Sequence, residues 1–120
     1  MKKVYIATSS FASFSTAPLR LLKENNFFYS INEKRRKLYN EEIIETLFEY
    51  DGVIAGTELY DKDILKNLPK LKIISRLGVG MDNIDLDFAN KMNVDICKTT
   101  TTPSLAVAEL VLGLTLSLIR

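Results

Sequence analysis

Five short apolar runs alternate along the chain with segments whose apolar residues recur at helical spacing, and this alternation most constrains the fold. Short β-branched or aromatic runs separated by helices predict right-handed crossovers, and therefore a parallel sheet with helices on both faces. The predicted class is α/β, with an open five-stranded sheet. The predicted strands cover residues 4–7, 27–31, 53–55, 73–74 and 94–97, and the helices between them centre on residues 19–24, 41–49, 61–67 and 85–92.

Composition limits the classes of partner. The 120 residues are 47% hydrophobic, which is enough for the core of one domain, and the net charge of +1 predicts no nucleic-acid face. The cationic run Lys34-Arg35-Arg36-Lys37 is interpreted as a solvated loop. The single cysteine, Cys97, is predicted to be buried and inert in a reducing, cytoplasmic compartment. Neither a signal peptide nor a membrane span is expected, and no metal-ligand cluster is predicted.

The segment after the fourth run carries the candidate site. Arg76 stands at the end of that strand, and Gly78-Val79-Gly80 follow it as a loop. Parallel sheets bind ligands at the carboxyl ends of their strands, where glycines let a backbone N–H approach an anion and an arginine can grip one. Thr57 follows the third strand and is expected on the same rim. The alternative is a plain tight turn in which Arg76 pairs with a local acid.

The last segment, 103–120, does not suit a self-contained domain. After the break at Pro103, the predicted helix from Ser104 to Arg120 is apolar nearly all round. Such a helix needs more than one partner to bury it. It predicts a dimer interface, a second domain that this helix leads to, or both.

Taken together, these residues resemble the D-isomer-specific 2-hydroxyacid dehydrogenase family, in particular its phosphoglycerate-dehydrogenase-like branch. The family pattern is an arginine, Gly-Val-Gly, any residue, then Asp-Asn-Ile-Asp, a short helix, a strand and Val-Ala-Glu opening a long helix. This chain carries the pattern from Arg76 to Asp85 and again at Val107-Ala108-Glu109. The match covers about residues 50–120.

The resemblance implies a flavodoxin-like substrate domain over residues 1–102, followed by a linker helix to an NAD-binding Rossmann domain that this chain lacks. It implies that the N–H groups of Val79 and Gly80 hold the carboxylate of a 2-hydroxy or 2-keto acid, such as a 3-phosphoglycerate-like one. Arg76 would lie near the anionic end of the substrate and Asn83 would shape the loop. Ser104 would lie near the nicotinamide of the NAD cofactor.

The family's catalytic base is a histidine, and this sequence contains none. Nor does a Gly-x-Gly-x-x-Gly fingerprint open a helix, because Asn83 stands at the third glycine position. The chain alone is therefore predicted to hold no catalytic residue and not to turn over substrate.

Three other classes of protein are alternatives to a dehydrogenase. A flavin electron carrier would use the Thr8-Ser9-Ser10 loop for flavin phosphate, but would want aromatic residues in later loops, where only Tyr60 stands. A response-regulator receiver needs acidic residues at the end of its first strand, where this chain has Thr8-Ser9. A standalone binding or interaction domain that dimerises through its last helix remains the alternative to a dehydrogenase.

Overall fold

A computed structural model describes residues 1–101 and 104–119, and it confirms the predicted α/β class. The predicted strands and helices all form, with small shifts at their ends. The strands are β1 (Lys3–Ile6), β2 (Phe28–Ile31), β3 (Gly52–Ala55), β4 (Ile73–Arg76) and β5 (Asp95–Lys98), and the helices are α1 (Ala17–Glu24), α2 (Asn40–Leu47), α3 (Lys62–Leu65), α4 (Leu86–Lys91) and α5 (Ser104–Leu118).

The five strands form one parallel sheet in the order β2-β1-β3-β4-β5. The chain steps outward from β1 to β2, returns to β3, and then continues in the opposite direction to β5. Right-handed crossovers therefore put α1 on one face of the sheet and α2, α3 and α4 on the other. The direction reverses between β1 and β3, which is where open α/β sheets of this order leave a crevice for a ligand.

The core lies between the sheet and helices α2, α3 and α4. The sheet contributes side chains such as Val53 and Ile74, which are at most 1% exposed. Helix α2 contributes Ile43 and Leu47, both at 0% exposure and one helical turn apart. The spacing of these two residues explains why this segment forms an amphipathic helix rather than a strand.

The opposite face of the sheet is less completely covered. Helix α1 buries none of its residues, and Ile73 on β4 is 37% exposed. Cys97 is also exposed, so the prediction of a buried thiol is wrong. The register pairs Cys97 with Ser75, which turns it to the face of α1, while its neighbour Ile96 packs against the core. The edge position of β5 leaves Cys97 beyond the reach of α1.

The cationic run is solvent-exposed, as expected, but it is ordered by one acid. Glu42 in the first turn of α2 accepts hydrogen bonds from Arg36 (2.6 and 2.8 Å) and from Lys34 (2.9 Å). The same carboxylate accepts a bond from the Tyr39 N–H (3.0 Å) and so satisfies a donor at the start of the helix. The run therefore fixes the entry into α2.

Helix α5 has 15 residues and buries none of them. Its leucines lie open on every side, with Leu110 at 62% and Leu112 at 60% exposure. The predicted boundary between residues 102 and 103, and the predicted last residue of the helix, Arg120, lie outside the described residues. Within residues 1–101 and 104–119, no helix is long and apolar enough to cross a bilayer.

Candidate functional site

The loop after β4 requires a glycine at its first bend. Gly78 has φ of 143°, a conformation that side chains rarely adopt, and a Cβ there would lie 2.5 Å from Nη1 of Arg76. The loop is held to the segment after β5 by a reciprocal pair of bonds. The Gly78 N–H donates to Thr99 Oγ1 (3.0 Å), and the Thr99 N–H donates to the Gly78 carbonyl (3.0 Å).

Arg76 lies half-buried beneath this loop. Its Nε donates to Oδ1 of Asn83 (3.4 Å), and its Nη1 donates to the Leu77 carbonyl. Among the described residues, Arg76 forms no ion pair of the kind that the alternative of a plain tight turn expects. Within those residues, no carboxylate is paired with its positive charge.

Asn83 joins two loops that are distant in sequence. Its Nδ2 donates to the carbonyls of Gly56 (3.1 Å) and Glu58 (2.7 Å), while its own carbonyl accepts from the Tyr60 N–H (2.7 Å). The loop after β3 and the loop after β4 are thus tied together by one side chain. The family resemblance gave Asn83 the role of shaping its own loop, but not this connection across the rim.

Val79 and Gly80 form the tip of the loop. Val79 is 41% exposed, and a Cβ added at Gly80 would meet nothing within 4 Å. Within the described part of the chain, the N–H groups of both residues have no hydrogen-bond acceptor. Two successive free N–H groups on a braced loop are suited to an anion such as a carboxylate.

A small pocket of about 160 Å³ opens between the carboxyl ends of β1 and β3. It lies in the crevice that the strand order creates, and two of its lining residues, Gly56 and Glu58, accept hydrogen bonds from Asn83 of the loop after β4. Thr57, a predicted site residue, lines it. The other lining residues come from the end of β1, the loop before α2 and the turn after β3: Ala7, Thr8, Ser9, Lys37, Gly56 and Glu58.

The floor of this pocket contains a buried acid that the sequence did not reveal. Glu58 is 2% exposed, and its Oε1 accepts bonds from the Tyr60 hydroxyl (2.6 Å) and the Gly56 N–H (3.0 Å). Burial raises the pKa of Tyr60 well above its ordinary value, and the charge of Glu58 and the bond to it raise it further. The phenol therefore keeps its proton and donates a hydrogen bond to the Glu58 side chain.

The predicted site residues fall into three groups. Arg76 lies against Gly78 and bonds to Asn83, and Val79 and Gly80 are exposed to solvent. Thr57 is joined to them through the bonds of Asn83 to its neighbours Gly56 and Glu58. Ser104 begins α5 and is exposed.

The described residues contain no glycine-rich turn that leads directly into a helix. A dinucleotide site needs a glycine-rich turn that leads directly into a helix, so that the helix N-terminus receives the pyrophosphate. Here Asn83 follows Gly78 and Gly80, and α4 begins only at Leu86. Within the same described residues, no group of three or more histidines, cysteines or acids is placed to hold a metal ion.

Comparison with known proteins gives the same family for most of the chain. Residues 7–116 match the family model described as D-isomer specific 2-hydroxyacid dehydrogenase, catalytic domain. A Staphylococcus epidermidis protein bearing the name of a 2-hydroxyacid dehydrogenase is 34% identical over 100% of this chain. A D-3-phosphoglycerate dehydrogenase of Methanocaldococcus jannaschii is 35% identical over 69% of it.

A solved structure agrees with these relatives. The NAD⁺-bound 3-phosphoglycerate dehydrogenase of Entamoeba histolytica superimposes with a TM-score of 0.70 and 32% identity over 82% of this chain. This chain spans 37% of the length of the Staphylococcus relative, 16% of the Methanocaldococcus one and 32% of the Entamoeba one. The similarity therefore concerns one part of these longer proteins.

Proposed function

Because this chain belongs to the D-isomer-specific 2-hydroxyacid dehydrogenase family, we propose that it is the substrate-binding part of an NAD-dependent oxidoreductase. The enzyme would act on the CH–OH group of a D-2-hydroxy acid, or in reverse on the 2-keto acid. The observation that carries the proposal is the pair of free N–H groups at Val79 and Gly80, on a loop that Asn83, Thr99 and Arg76 hold in place.

These donors give the carboxylate of the acid a defined position. Two N–H groups with no competing acceptor cost no internal hydrogen bond when an anion binds. Arg76 adds positive charge from below the loop. A substrate fixed in this way presents its C2 in one orientation, which is what a hydride transfer requires of the protein.

The acid's far end would reach the pocket between β1 and β3. A 3-phosphoglycerate-like acid would find one cation there, Lys37, and one carboxylate, Glu58. The M. jannaschii relative is named for that substrate. Both 3-phospho-D-glycerate and unphosphorylated D-2-hydroxy acids therefore belong in the binding test.

NAD would be held mainly by sequence outside this chain, in a Rossmann domain that the linker segment 103–120 leads to. The lengths of the relatives support this proposal, since this chain spans only part of each. When bound, NAD accepts or donates the hydride. No residue of this chain is assigned the catalytic base, because the sequence contains no histidine, and we expect the 120-residue chain alone to show no turnover.

The binding proposal is tested by titrating the ¹⁵N-labelled chain with D-lactate. The amides of Val79 and Gly80 should shift in a saturable manner. The Gly80→Ala variant is the matched probe, because its added methyl meets no protein atom within 4 Å but lies where the carboxylate would approach. It should fold normally and bind about tenfold more weakly. Shifts confined to residues 34–37 would contradict the proposal.

We further propose that α5 mediates a homodimer, unless it is covered by another part of a longer protein. Support comes from its exposed apolar surface, which includes Leu110, Leu112 and Leu114. Sedimentation of the unmodified chain should show a dimer, and Leu112→Lys should give a monomer. A monomer in the unmodified chain would contradict the dimer.

The proposal that the chain is part of a longer enzyme has its own test. An antibody against this chain should detect a species of more than twice 13.6 kDa in the source cells. A species of 13.6 kDa would instead favour a standalone binding or interaction domain that dimerises through α5.

A further inference from the structure

We propose that two copies of this chain exchange their last helices, so that α5 of each copy packs on the open face of the other copy's sheet. The open face is the surface of β3, β4 and β5 on the side of α1, where Ile73 and Cys97 are exposed. This inference rests on the dimer that the proposed function includes, and it names the surface that α5 covers.

The open face lacks the cover that a parallel sheet requires, since both faces of such sheets are normally packed under helices. Helix α1 contacts β2, and the residues of β1 on this side, Val4 and Ile6, are buried. One more helix would complete this side of the sheet. Strand pairing sets two rows of three residues there, of which only Gly52 is buried: Gly52-Ile73-Asp95 and Ile54-Ser75-Cys97.

A cavity of about 300 Å³ continues the open face at the amino edge of the sheet. Val4, Phe27 and Ile73 line it with apolar groups. Gly52 leaves room between two of them, since a Cβ there would lie 2.9 Å from Cγ2 of Ile73 and 3.8 Å from Cγ2 of Val4. The cavity is therefore suited to an apolar side chain from the end of a helix that lies along the strands, such as Leu118.

Helix α5 has the dimensions of this face. Three neighbouring strands are about 10 Å wide, and an α-helix with its side chains is about 10 Å in diameter. The 15 residues of α5 make a helix about 22 Å long. That length covers strands of four residues, which extend about 13 Å, and reaches into the cavity beyond them.

The side chains of α5 form three stripes along the helix, because residues three and four apart share a face. The polar stripe is Glu109, Gly113 and Ser117. A stripe on another side contains only apolar residues, and we place it against the open face: Val107, Val111, Leu114 and Leu118. The third stripe, which remains for α5 of the partner copy, is Leu105, Leu112 and Leu116. Two such contacts explain why this helix has so little polar surface.

The exchange buries enough surface for a specific dimer. Half the side of a helix of these dimensions is about 350 Å². Counting the helix and the sheet in both copies, the exchange removes about 1,400 Å² from water, which lies within the range of specific protein interfaces.

The ends of the helix also match the charges around the open face. A helix that runs antiparallel to the strands, as crossover helices do, brings the negative end of its dipole to the amino edge of the sheet. Lys2 and Lys72 line the cavity there and can donate to the last carbonyls of the helix. Of the acids beside them, Asp51 already accepts a bond from the Lys3 N–H (2.8 Å), and Asp95 is exposed to water.

The structure directs α5 away from its own sheet. The molecule is 56 Å long but only 32 by 26 Å across, and α5 buries none of its residues. The open face and the helix of one copy are therefore both available to a second copy. Exchange of the same element in both directions gives a closed, two-fold dimer.

The first test uses Cys97, the one cysteine of the sequence, as a probe of the open face. Its reaction with a chromogenic disulfide reagent should be about tenfold slower when the chain is a dimer, because α5 covers it. Val111→Lys, in the stripe placed against the sheet, should give a monomer in which Cys97 reacts fast. Ser117→Lys, in the polar stripe, is the matched control and should remain a protected dimer.

Disulfide trapping separates exchange between copies from folding back within one copy. Val111→Cys, oxidised with glutathione disulfide, should bridge to Cys97 and give a covalent dimer of twice 13.6 kDa. Adding Cys97→Ser should abolish this product. A bridged species of 13.6 kDa would overturn the inference, because α5 would then cover its own sheet.

The outcomes for the inference and for the dimer are distinct. A dimer whose Cys97 reacts as fast as in Val111→Lys would overturn the inference and leave the dimer standing. If the unmodified chain sediments as a monomer at every concentration tested, both fail. Neither result bears on the binding of an acid at Val79 and Gly80, which has its own titration.

Discussion

The compact body of the molecule, residues 1–101, and helix α5 contain the same kinds of apolar residues. The body buries many of them, whereas α5 leaves its own exposed. Leu47 in α2 is 0% exposed, whereas Leu110 in α5 is 62% exposed. The difference lies in patterning, because α2 has one apolar face to turn toward a sheet and α5 is apolar all round. A helix with a single apolar face completes its packing against one layer, and α5 cannot.

The largest expected effect comes from the same substitution in the two regions. Leu47→Ala should lower the free energy of unfolding by about 3 kcal/mol, because it leaves a cavity beside the sheet. Leu110→Ala should change it by less than about 0.5 kcal/mol, because its side chain is mostly in water already. Urea unfolding followed by circular dichroism measures both.

Equal losses from the two leucine variants would break the comparison. They would mean that α5 packs onto the body, or onto another chain, as firmly as α2 does. Repeating the Leu110→Ala measurement over a range of protein concentrations separates these cases, since only packing between chains depends on concentration.

Substitutions at two glycines test the same comparison, with smaller expected changes in the free energy of unfolding. Gly78→Ala should lower the free energy of unfolding by about 2 kcal/mol, because φ at this residue is 143° and the new Cβ would clash with the Arg76 side chain. Gly113→Ala in α5 should instead raise helix content, since nothing lies within 4 Å of the added methyl and alanine favours a helix by about 1 kcal/mol over glycine. Thermal unfolding measures the change in stability, and the far-ultraviolet circular dichroism signal measures helix content. If Gly78→Ala stabilised the protein, the loop would not need the glycine conformation at this bend.

The smallest expected effect is a pH dependence of the free energy of unfolding that arises from residues 1–101. Hydrogen bonds from Arg36, Lys34 and Tyr39 lower the pKa of Glu42 from its ordinary value of 4.5. A lowered pKa in the folded state means that Glu42 stabilises the fold above pH 4.5, and that this contribution is lost as the pH falls below that value. Solvent screens this exposed cluster, so the effect should be small.

The pH effect is measured as the difference in unfolding midpoint between the unmodified chain and Glu42→Gln. The difference should be constant near neutral pH and should shrink in acid. A Glu42→Gln difference that grows in acid would contradict the assignment.

Local patterns were enough to predict the elements and the loop of the site. The apolar spacing of Ile43 and Leu47 marked α2, and Gly78-Val79-Gly80 marked the bend after β4. The same approach failed for Cys97, whose neighbours suggested burial, because exposure at an edge strand depends on which helix reaches it. It also did not predict the burial of Glu58, because a glutamate two residues before a tyrosine has the same local pattern whether it is buried or solvated.

The sequence by itself determined the alternation of strands and helices, the glycine bend, the apolar last helix and the lack of a histidine. These follow from interactions within a few residues, or from composition alone. Only the tertiary structure decided that β1 and β3 are neighbours, that Asn83 ties the loop of β3 to that of β4, and that Thr8 and Glu58 face the same space. Such contacts join residues 25 to 50 positions apart, and their formation depends on strand order and register, which local preferences do not specify.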